Sequence, residues 1–221
     1  MHEELINYLS GFVSQNRKDT FDEAINFRTR HLTIVLEDIY QPHNASAVLR
    51  SCDCFGIQDV HIVENKNKYT INPDVALGSS KWLSLHKYNK EDNNTSACIK
   101  TLKENGYRII VTSPHKNDCN IQELNIENKT ALVFGTELNG ASDRIKEHAD
   151  GFVKIPMYGF TESFNISVSA AICLYELTTR LRNSSIKWQL NENEKKEIIL
   201  NWLRSSINKS ELIEKDFFKN V

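Results

Sequence analysis

The sequence predicts an α/β fold with a mostly parallel six-stranded sheet and helices on both of its faces. Between residues 31 and 181, short apolar runs of strand character alternate with segments whose apolar residues recur at helical spacing. At both ends of the chain only helical spacing is found. Strands that alternate with helices form parallel sheets, because each crossover helix returns the chain to the same end of the sheet.

The six predicted strands are runs rich in apolar residues and bounded by glycine or polar residues. They cover residues 31–39, 60–65, 83–88, 107–113, 130–135 and 151–156. Asn44 is predicted to cap a helix that continues to Phe55 and ends at Gly56, and Gly106 ends a helix over residues 95–105. The remaining helices are predicted near Pro73–Leu77, from Ser142, and from about Asn165 to Leu181.

Both ends of the chain are predicted to be short helical additions. Leu5 and Leu9 mark a first helix, and Thr20 with Glu23 forms a capping box that opens a second helix through about Arg30. Near the other end, two helices are marked by Ile198, Ile199, Trp202 and Leu203, and by Leu212, Ile213, Phe217 and Phe218. The chain therefore divides into a helical extension (1–30), an α/β domain (31–181) and a second helical extension (182–221).

Composition excludes several classes of protein. With 27 Lys and Arg against 29 Asp and Glu, the net charge is −2, which excludes a histone-like polycation and argues against a global field for nucleic acid. No apolar run approaches the ~20 residues that span a bilayer, and Glu3 and Glu4 stand where a secretory signal is basic. We therefore expect a cytoplasmic protein without a membrane partner. Five cysteines, with Cys52 and Cys54 lacking a second pair, indicate buried thiols and no metal site.

Three loops that follow predicted strands carry the candidate functional residues, because ligands of parallel sheets bind at the carboxyl ends of strands. These loops cover residues 41–50, 135–142 and 156–167. Gly135, Gly140 and Gly159 permit close backbone approach to a flat ligand, whose edge exposed N–H and C=O groups could bind. The nucleotide and hydrolase motifs GxxxxGK[ST], GxGxxG and GxSxG are absent from these positions.

Each residue of these loops also has a purely structural explanation. The glycines could form tight turns, and Arg50, late in its helix, could be a solvated cation. Glu137 could be a solvated carboxylate, while Ser163 and Asn165 could only cap the following helix. The three loops together, rather than any single residue, indicate a binding site.

In order, the three loops resemble the signature motifs of the SPOUT superfamily, specifically the TrmH-like (SpoU) RNA 2′-O-ribose methyltransferases. Asn44 and Arg50 match the pattern N-x5-R, and Gly135, Glu137 and Gly140 match G-x-E-x-x-G. The third pattern, P-M-x-G-x3-S-[LF]-N-[VI]-S-V, is matched by Pro156, Met157, Gly159, Ser163, Asn165, Ser167 and Val168. The resemblance covers residues 31–181, and its departures are Phe164, Ile166 and Ser169, where Leu, Val and Ala are usual.

The resemblance implies a C-terminal trefoil knot that holds S-adenosylmethionine, and a homodimer that completes the site across its subunits. The reaction it implies is methyl transfer to a ribose 2′-oxygen of RNA, without a metal. The implied catalytic residues are Arg50, Asn44, Glu137, Ser163 and Asn165. The implied cofactor-binding residues are Thr112, Gly135, Glu137, Gly140, Ile155, Met157, Ser163, Phe164 and Asn165.

Two roles stay open for Arg50. In the family the matching arginine is held to activate the 2′-hydroxyl. Because a guanidinium loses its proton only at high cost, Arg50 could instead stay charged, bind the adjacent phosphate and stabilise the developing alkoxide. Asn44 would orient Arg50 in either case.

The short terminal helices resemble those of tRNA methyltransferases that modify the D-loop guanosine at position 18, so tRNA is the expected substrate. Ribose methylation of rRNA and a non-catalytic RNA-binding role are the alternatives. The residues expected to contact RNA are Arg17, Lys18, Arg28, Arg30, Arg50 and the C-terminal lysines. No region of the chain has a large positive charge, so we expect local patches to bind RNA. The net charge is −1 for residues 1–30 (4 basic, 5 acidic), −3 for 31–181 (15 and 18) and +2 for 182–221 (8 and 6).

Overall fold

The computed structural model describes residues 2–70, 72–113, 119–136 and 138–219. The chain forms two compact units. We call Arg30–Trp188 the sheet unit, and Met1–Thr29 together with Gln189–Val221 the helical unit. The two ends of the chain, predicted as separate extensions, thus belong to one unit.

Within the described ranges, seven strands form the sheet, one more than the sequence predicts. They are β1 (Leu32–Glu37), β2 (Asp59–Val63), β3 (Ser84–Tyr88), β4 (Arg108–Thr112), β5 (Cys119–Asn120), β6 (Thr130–Phe134) and β7 (Gly151–Lys154). Their order is β3-β2-β1-β6-β4-β7-β5, and every pair is parallel. The additional strand, β5, has two residues and pairs with β7 at the sheet edge, so no apolar pattern marks it in the sequence.

Nine α-helices are found among the described residues. They are α1 (His2–Ser10), α2 (Gln15–Ile25), α3 (Pro42–Cys54), α4 (Pro73–Ala76), α5 (Asn94–Glu104), α6 (Asp143–Glu147), α7 (Ile166–Arg182), α8 (Glu192–Ser206) and α9 (Ser210–Lys219). Helix α3 begins two residues before the predicted cap Asn44, because Pro42 occupies its first turn and Gln41 is the N-cap. Asn165 caps α7, with its side chain accepting a hydrogen bond from the Ser167 N–H.

The sheet is covered on both faces, which confirms the predicted layers. Side chains alternate along β1, so that Ile34 and Leu36 join the apolar cluster that includes residues of α3 and α7. Val35 points to the other face and joins the cluster that includes residues of α5 and α6. All six residues of β1 are buried, as expected of a central parallel strand.

In the helical unit, α1 packs against α8 and α9, and α2 packs against α8. The Phe21 ring lies 5.3 Å from that of Trp202. The predicted capping box at Thr20 is wrong: Ser14 is the N-cap of α2, and the Thr20 hydroxyl donates to the Asn16 carbonyl inside the helix. Among the described residues, none of the helices has the length and apolar character needed to cross a membrane.

Candidate active site

A cavity of about 610 Å³ opens beyond the carboxyl ends of β4, β6 and β7. Val111, Phe134 and Val153, which end or nearly end these strands, contribute apolar walls. The predicted binding residues that line it are Thr112, Gly135, Gly140, Ile155, Met157, Ser163, Phe164 and Asn165. A volume of this size suits a small-molecule ligand, and the cavity lies where ligands of parallel sheets bind.

The loop that follows β6 folds back on itself beside the cavity. The Thr136 N–H donates to the Gly140 carbonyl at 3.0 Å, and the Gly140 N–H donates to the Thr136 carbonyl at 2.9 Å. A Cβ on Gly135 would lie 2.1 Å from the carbonyl carbon of Gly140, so only glycine fits there. Glu137, the predicted catalytic carboxylate of this loop, lies outside the described residues.

Glu37, at the end of β1, holds the far side of this loop. Its carboxylate is 2% exposed and accepts hydrogen bonds from the Ser142 N–H at 2.8 Å and the Ser142 hydroxyl at 2.7 Å. The Thr95 hydroxyl donates a third bond at 2.7 Å. Ser142 is also the N-cap of α6. Glu37 therefore connects the central strand to the point where the cavity loop becomes a helix, a role that no sequence motif indicated.

Two asparagines connect the first predicted motif to the third. The Asn165 Nδ2 donates to Asn44 Oδ1 at 3.0 Å, and Asn165 Oδ1 accepts from the Ser167 N–H at 2.8 Å. Asn44 is 2% exposed, and its own Nδ2 donates to Gln41 Oε1 at 3.2 Å. The structure therefore brings together residues 121 positions apart in the sequence.

Arg50 occupies the exposed side of α3 and does not line the cavity. Its side chain makes no hydrogen bond or ion pair with the described part of the chain. The bonds recorded for the Asn44 side chain go to Gln41 and Asn165, so the predicted orientation of Arg50 by Asn44 stays a prediction. An exposed guanidinium remains accessible to a phosphate or a ribose.

The arginines predicted to bind RNA differ in their accessibility. Arg17 is exposed and Lys18 is half-buried. Arg28 is 5% exposed, with its guanidinium 5.2 Å from the centre of the Trp202 ring, so the structure does not favour its predicted contact with phosphate. Arg30 is half-buried, and its Nε lies 3.1 Å from Asp59 Oδ2.

Several residues that line the cavity were missed by the sequence analysis. Lys146 and Asn139 lie on or beside the loop after β6, and Ser169 and Cys173 lie on α7. Burial raises the pKa of the Cys173 thiol to about 12, so it is a neutral wall rather than a nucleophile. Only Lys146 could have been found from the sequence, because it lies four residues, about one helical turn, after the glycine-bearing loop 135–142. Within the described residues, no group of three or more metal-ligating side chains is found.

Comparison with known families matches residues 31–175 to the model of the SpoU rRNA Methylase family. The chain belongs to this family. Individual relatives match most of the chain. A tRNA (guanosine(18)-2′-O)-methyltransferase of Borreliella burgdorferi is 47% identical over 95% of this chain and 94% of its own. One of Thermus thermophilus is 30% identical over 86% of this chain and 97% of its own.

A SpoU structure has the same architecture. The crystal structure of the Aquifex aeolicus TrmH/SpoU tRNA modifying enzyme superposes with a TM-score of 0.77 and 31% identity. The match covers 88% of this chain and 98% of that one. Because it extends well beyond residues 31–175, the likeness is not restricted to the family domain.

Proposed function

We propose that this protein transfers a methyl group from S-adenosylmethionine to the ribose 2′-oxygen of the guanosine at position 18 of tRNA, in the cytoplasm. The observation that carries the proposal is a cavity lined by the second and third motif loops, to which the first motif is joined by the hydrogen bond between Asn165 and Asn44. The relative from Borreliella burgdorferi, which is named for this reaction, matches parts of both ends of the chain as well as its centre. These ends are the parts in which we expect substrate preference to differ.

The cavity fits the cofactor by the chemistry of its lining. Apolar side chains (Val111, Phe134, Ile155) could hold an adenine ring, and backbone groups at Gly135 and Met157 could bind its polar edge. Ser163 and Asn139 could bind the amino-acid end, whose carboxylate also suits the Lys146 ammonium. When bound, the cofactor supplies a methyl group on a sulfonium, an already good leaving group.

The main tasks of the protein are therefore to position the ribose and stabilise charge on its oxygen. In our proposal Arg50 stays protonated, binds the phosphate next to the target ribose and stabilises the 2′-oxygen as its proton passes to water. Asn165 and Asn44 hold the start of α7 against α3, which fixes the cavity wall relative to the helix that carries Arg50. Glu137 and Ser163 are proposed to position the ribose or the methionyl end.

The assignment is tested by methylation of tRNA transcripts in vitro. A transcript with guanosine 18 should incorporate methyl groups, and one with adenosine 18 should incorporate none, because the proposed target is a single nucleotide. A large-subunit rRNA fragment serves as the second substrate, since the family model is named for rRNA. Equal methylation of both tRNA transcripts, or methylation of the rRNA fragment alone, would reject the tRNA assignment.

We also propose that two chains form a homodimer through the outer face of α7. Three large side chains on or beside this helix are exposed although they are apolar or aromatic: Phe164 (42%), Val168 (45%) and Tyr175 (62%). Phe164 also lines the cavity, so a partner on this face would complete the site. Sedimentation should give a dimer for the native chain and a monomer for Val168→Arg, whereas a Val168→Arg dimer would contradict the interface.

The predicted trefoil knot is the remaining part of the proposal. Strand β7 lies between β4 and β5, which both precede it in the chain, and α7 then packs against α3. A C-terminal segment that enters between earlier strands and then packs against α3 is compatible with threading through a loop. General topology rules would not suggest it, because they treat knots as rare exceptions.

A further inference from the structure

A lysine-bearing loop follows β2 at the same end of the sheet as the cavity, but on the side of β3. Lys66 and Lys68 belong to this loop, and Lys87 belongs to the edge strand β3. All three side chains are exposed. Together they are called the lysine surface below. Residues 66–87 contain four lysines and a single acidic residue, Asp74, within a chain of net charge −2.

The loop is held in place by Asp38. Asp38 Oδ1 accepts hydrogen bonds from three consecutive backbone N–H groups: those of Asn65 (2.7 Å), Lys66 (2.8 Å) and Asn67 (3.2 Å). The Asn67 Nδ2 donates to the Asp38 carbonyl at 2.8 Å. Asp38 has φ of 53°, a conformation that costs free energy in a residue other than glycine and is kept where surrounding contacts impose it. The backbone of the loop around Lys66 is therefore held by Asp38, the residue that follows the central strand.

The third lysine is fixed by an aromatic ring. Lys87 Nζ lies 5.5 Å from the centre of the Tyr69 ring, and the Tyr69 N–H donates to Glu64 Oε1 at 2.9 Å. The Asn89 Nδ2 donates to Glu64 Oε2 at 3.0 Å. Both carboxylate oxygens of Glu64 thus accept hydrogen bonds, one from the loop and one from the residue after β3. In the loop after β2, the charged side chains that are exposed are those of Lys66 and Lys68; beyond β3, Lys90, Glu91 and Asp92 are exposed as well.

Lys87 also lies on the side of the sheet that carries Arg50. It pairs with Ile62 of β2, and Ile62 packs in the same apolar cluster as residues of α3. Strands in a sheet are about 4.8 Å apart, so β3 is separated from β6, where the cavity begins, by about 14 Å. That distance corresponds to a few nucleotides of an RNA backbone.

We propose that the lysine surface binds backbone phosphates of the tRNA that is methylated at the cavity. This inference rests on the proposed function, because it assigns a further contact of the same substrate. RNA fits better than a protein partner, since the surface offers separate ammonium groups without an apolar centre. Contacts of this kind carry no sequence information, so they set affinity and orientation rather than the choice of nucleotide.

The test is the affinity of full-length variants for an unmodified tRNA transcript at several salt concentrations. The test variants are Lys87→Glu and the double variant Lys66→Glu/Lys87→Glu. Lys129→Glu is a matched control: Lys129 is also exposed, and its Nζ lies 5.2 Å from the centre of the Tyr107 ring, but it precedes β6 and so lies at the amino ends of the strands. Calorimetry with S-adenosylmethionine reports whether the cavity of each variant is intact.

We expect the double variant to bind tRNA at least about tenfold more weakly at about 0.1 M salt, and its salt dependence to fall by about one phosphate contact per lysine. The single variant should lie between the native protein and the double variant, and the control should stay within about twofold of the native protein. Affinity for S-adenosylmethionine should be the same in all of them. Equal binding of tRNA by the double variant and the control would overturn the proposal.

Failure of the proposed function gives a different result. If guanosine 18 is not the target, the two transcripts will be methylated equally or not at all, but the lysine variants will still bind both transcripts weakly. If only the lysine proposal is wrong, methylation will depend on guanosine 18 while the variants bind like the control. The two inferences can therefore fail independently.

Discussion

Two adjacent carboxylates at the end of β1 anchor two different loops. Glu37 binds Ser142, beside the cavity, whereas Asp38 binds the loop that carries Lys66. Glu37 is buried and needs regular strand geometry, while Asp38 is half-buried and adopts a left-handed conformation. Asp38 follows the last residue of β1, so its own backbone conformation rather than strand alternation directs its side chain to a different loop. The two anchors are joined at one point, because the Thr95 hydroxyl donates to Glu37 and accepts from the Asn65 Nδ2 at 2.8 Å.

This difference suggests a division of labour at the sheet edge. The end of β4 and the loops after β6 and β7 surround the cavity, and the loop after β2 supplies positive charge. If the division is real, substitutions at the two anchors will affect different ligands. A substitution of Arg50, which does not line the cavity, should lower turnover and leave cofactor affinity unchanged.

Arg50→Ala tests that last statement and has the largest expected effect. Loss of a charged group that stabilises the developing oxyanion should lower the rate of methyl transfer at saturating substrates about a hundredfold. Cofactor affinity should be unchanged, because Arg50 does not line the cavity. Single-turnover transfer and calorimetry measure the two quantities. Near-native turnover in Arg50→Ala or in Arg50→Lys would show that the arginine is not catalytic.

Glu37→Gln tests the anchor of the cavity loop. The glutamine oxygen can still accept from the Ser142 N–H, but its NH₂ group replaces the oxygen that accepts from two hydroxyl groups. We expect cofactor affinity to fall about tenfold, as for weakened hydrogen bonds to a charged group, and tRNA affinity to be unchanged. Glu37→Leu removes all three hydrogen bonds and should lower cofactor affinity further. An equal loss of affinity for tRNA and cofactor would indicate general destabilisation instead.

Asp38→Asn is the reciprocal test. Asparagine tolerates the left-handed backbone and keeps one acceptor, but it lacks the charge that binds three N–H groups. tRNA affinity should fall about threefold, consistent with partial loss of a hydrogen-bonded anchor, and cofactor affinity should not change. Filter binding and calorimetry on the same preparation compare the two. If Asp38→Asn weakens cofactor binding as Glu37→Gln does, the two loops are not independent.

The smallest expected effect is on the pH dependence of stability and concerns His61, which lies outside both loops. Burial, with a smaller contribution from His86, lowers the pKa of His61 in β2 to about 4 from the usual 6.5, although Asp59 opposes the shift. Because the unfolded chain binds this proton first, the free energy of unfolding should fall as pH drops from 6.5 towards 4, by up to about 1.4 kcal/mol per pH unit. Urea unfolding of the native chain and His61→Phe should differ in this window. If the free energy of unfolding of both proteins depends on pH in the same way, the lowered pKa of His61 is contradicted.

Much of the sheet unit was predictable because its signals are local. The six predicted strands are runs of apolar residues, and turn glycines and capping residues such as Asn165 mark their ends. The errors occurred where local signals were weak or misleading. β5 has only two residues, Thr20 fits a capping box although it lies inside α2, and Pro42 rather than Asn44 begins α3.

The sequence alone determined which residue types stand at the ends of the strands, because strand periodicity, helix caps and glycine turns depend on neighbouring residues. It also determined the family motifs, including Glu137, whose position is outside the described residues. Only the tertiary structure decided that Asn165 would bind Asn44 and that Ser142 would bind Glu37. Those partners are 121 and 105 positions apart, and a pattern of neighbouring residues carries no information about contacts made by the pairing order of a sheet.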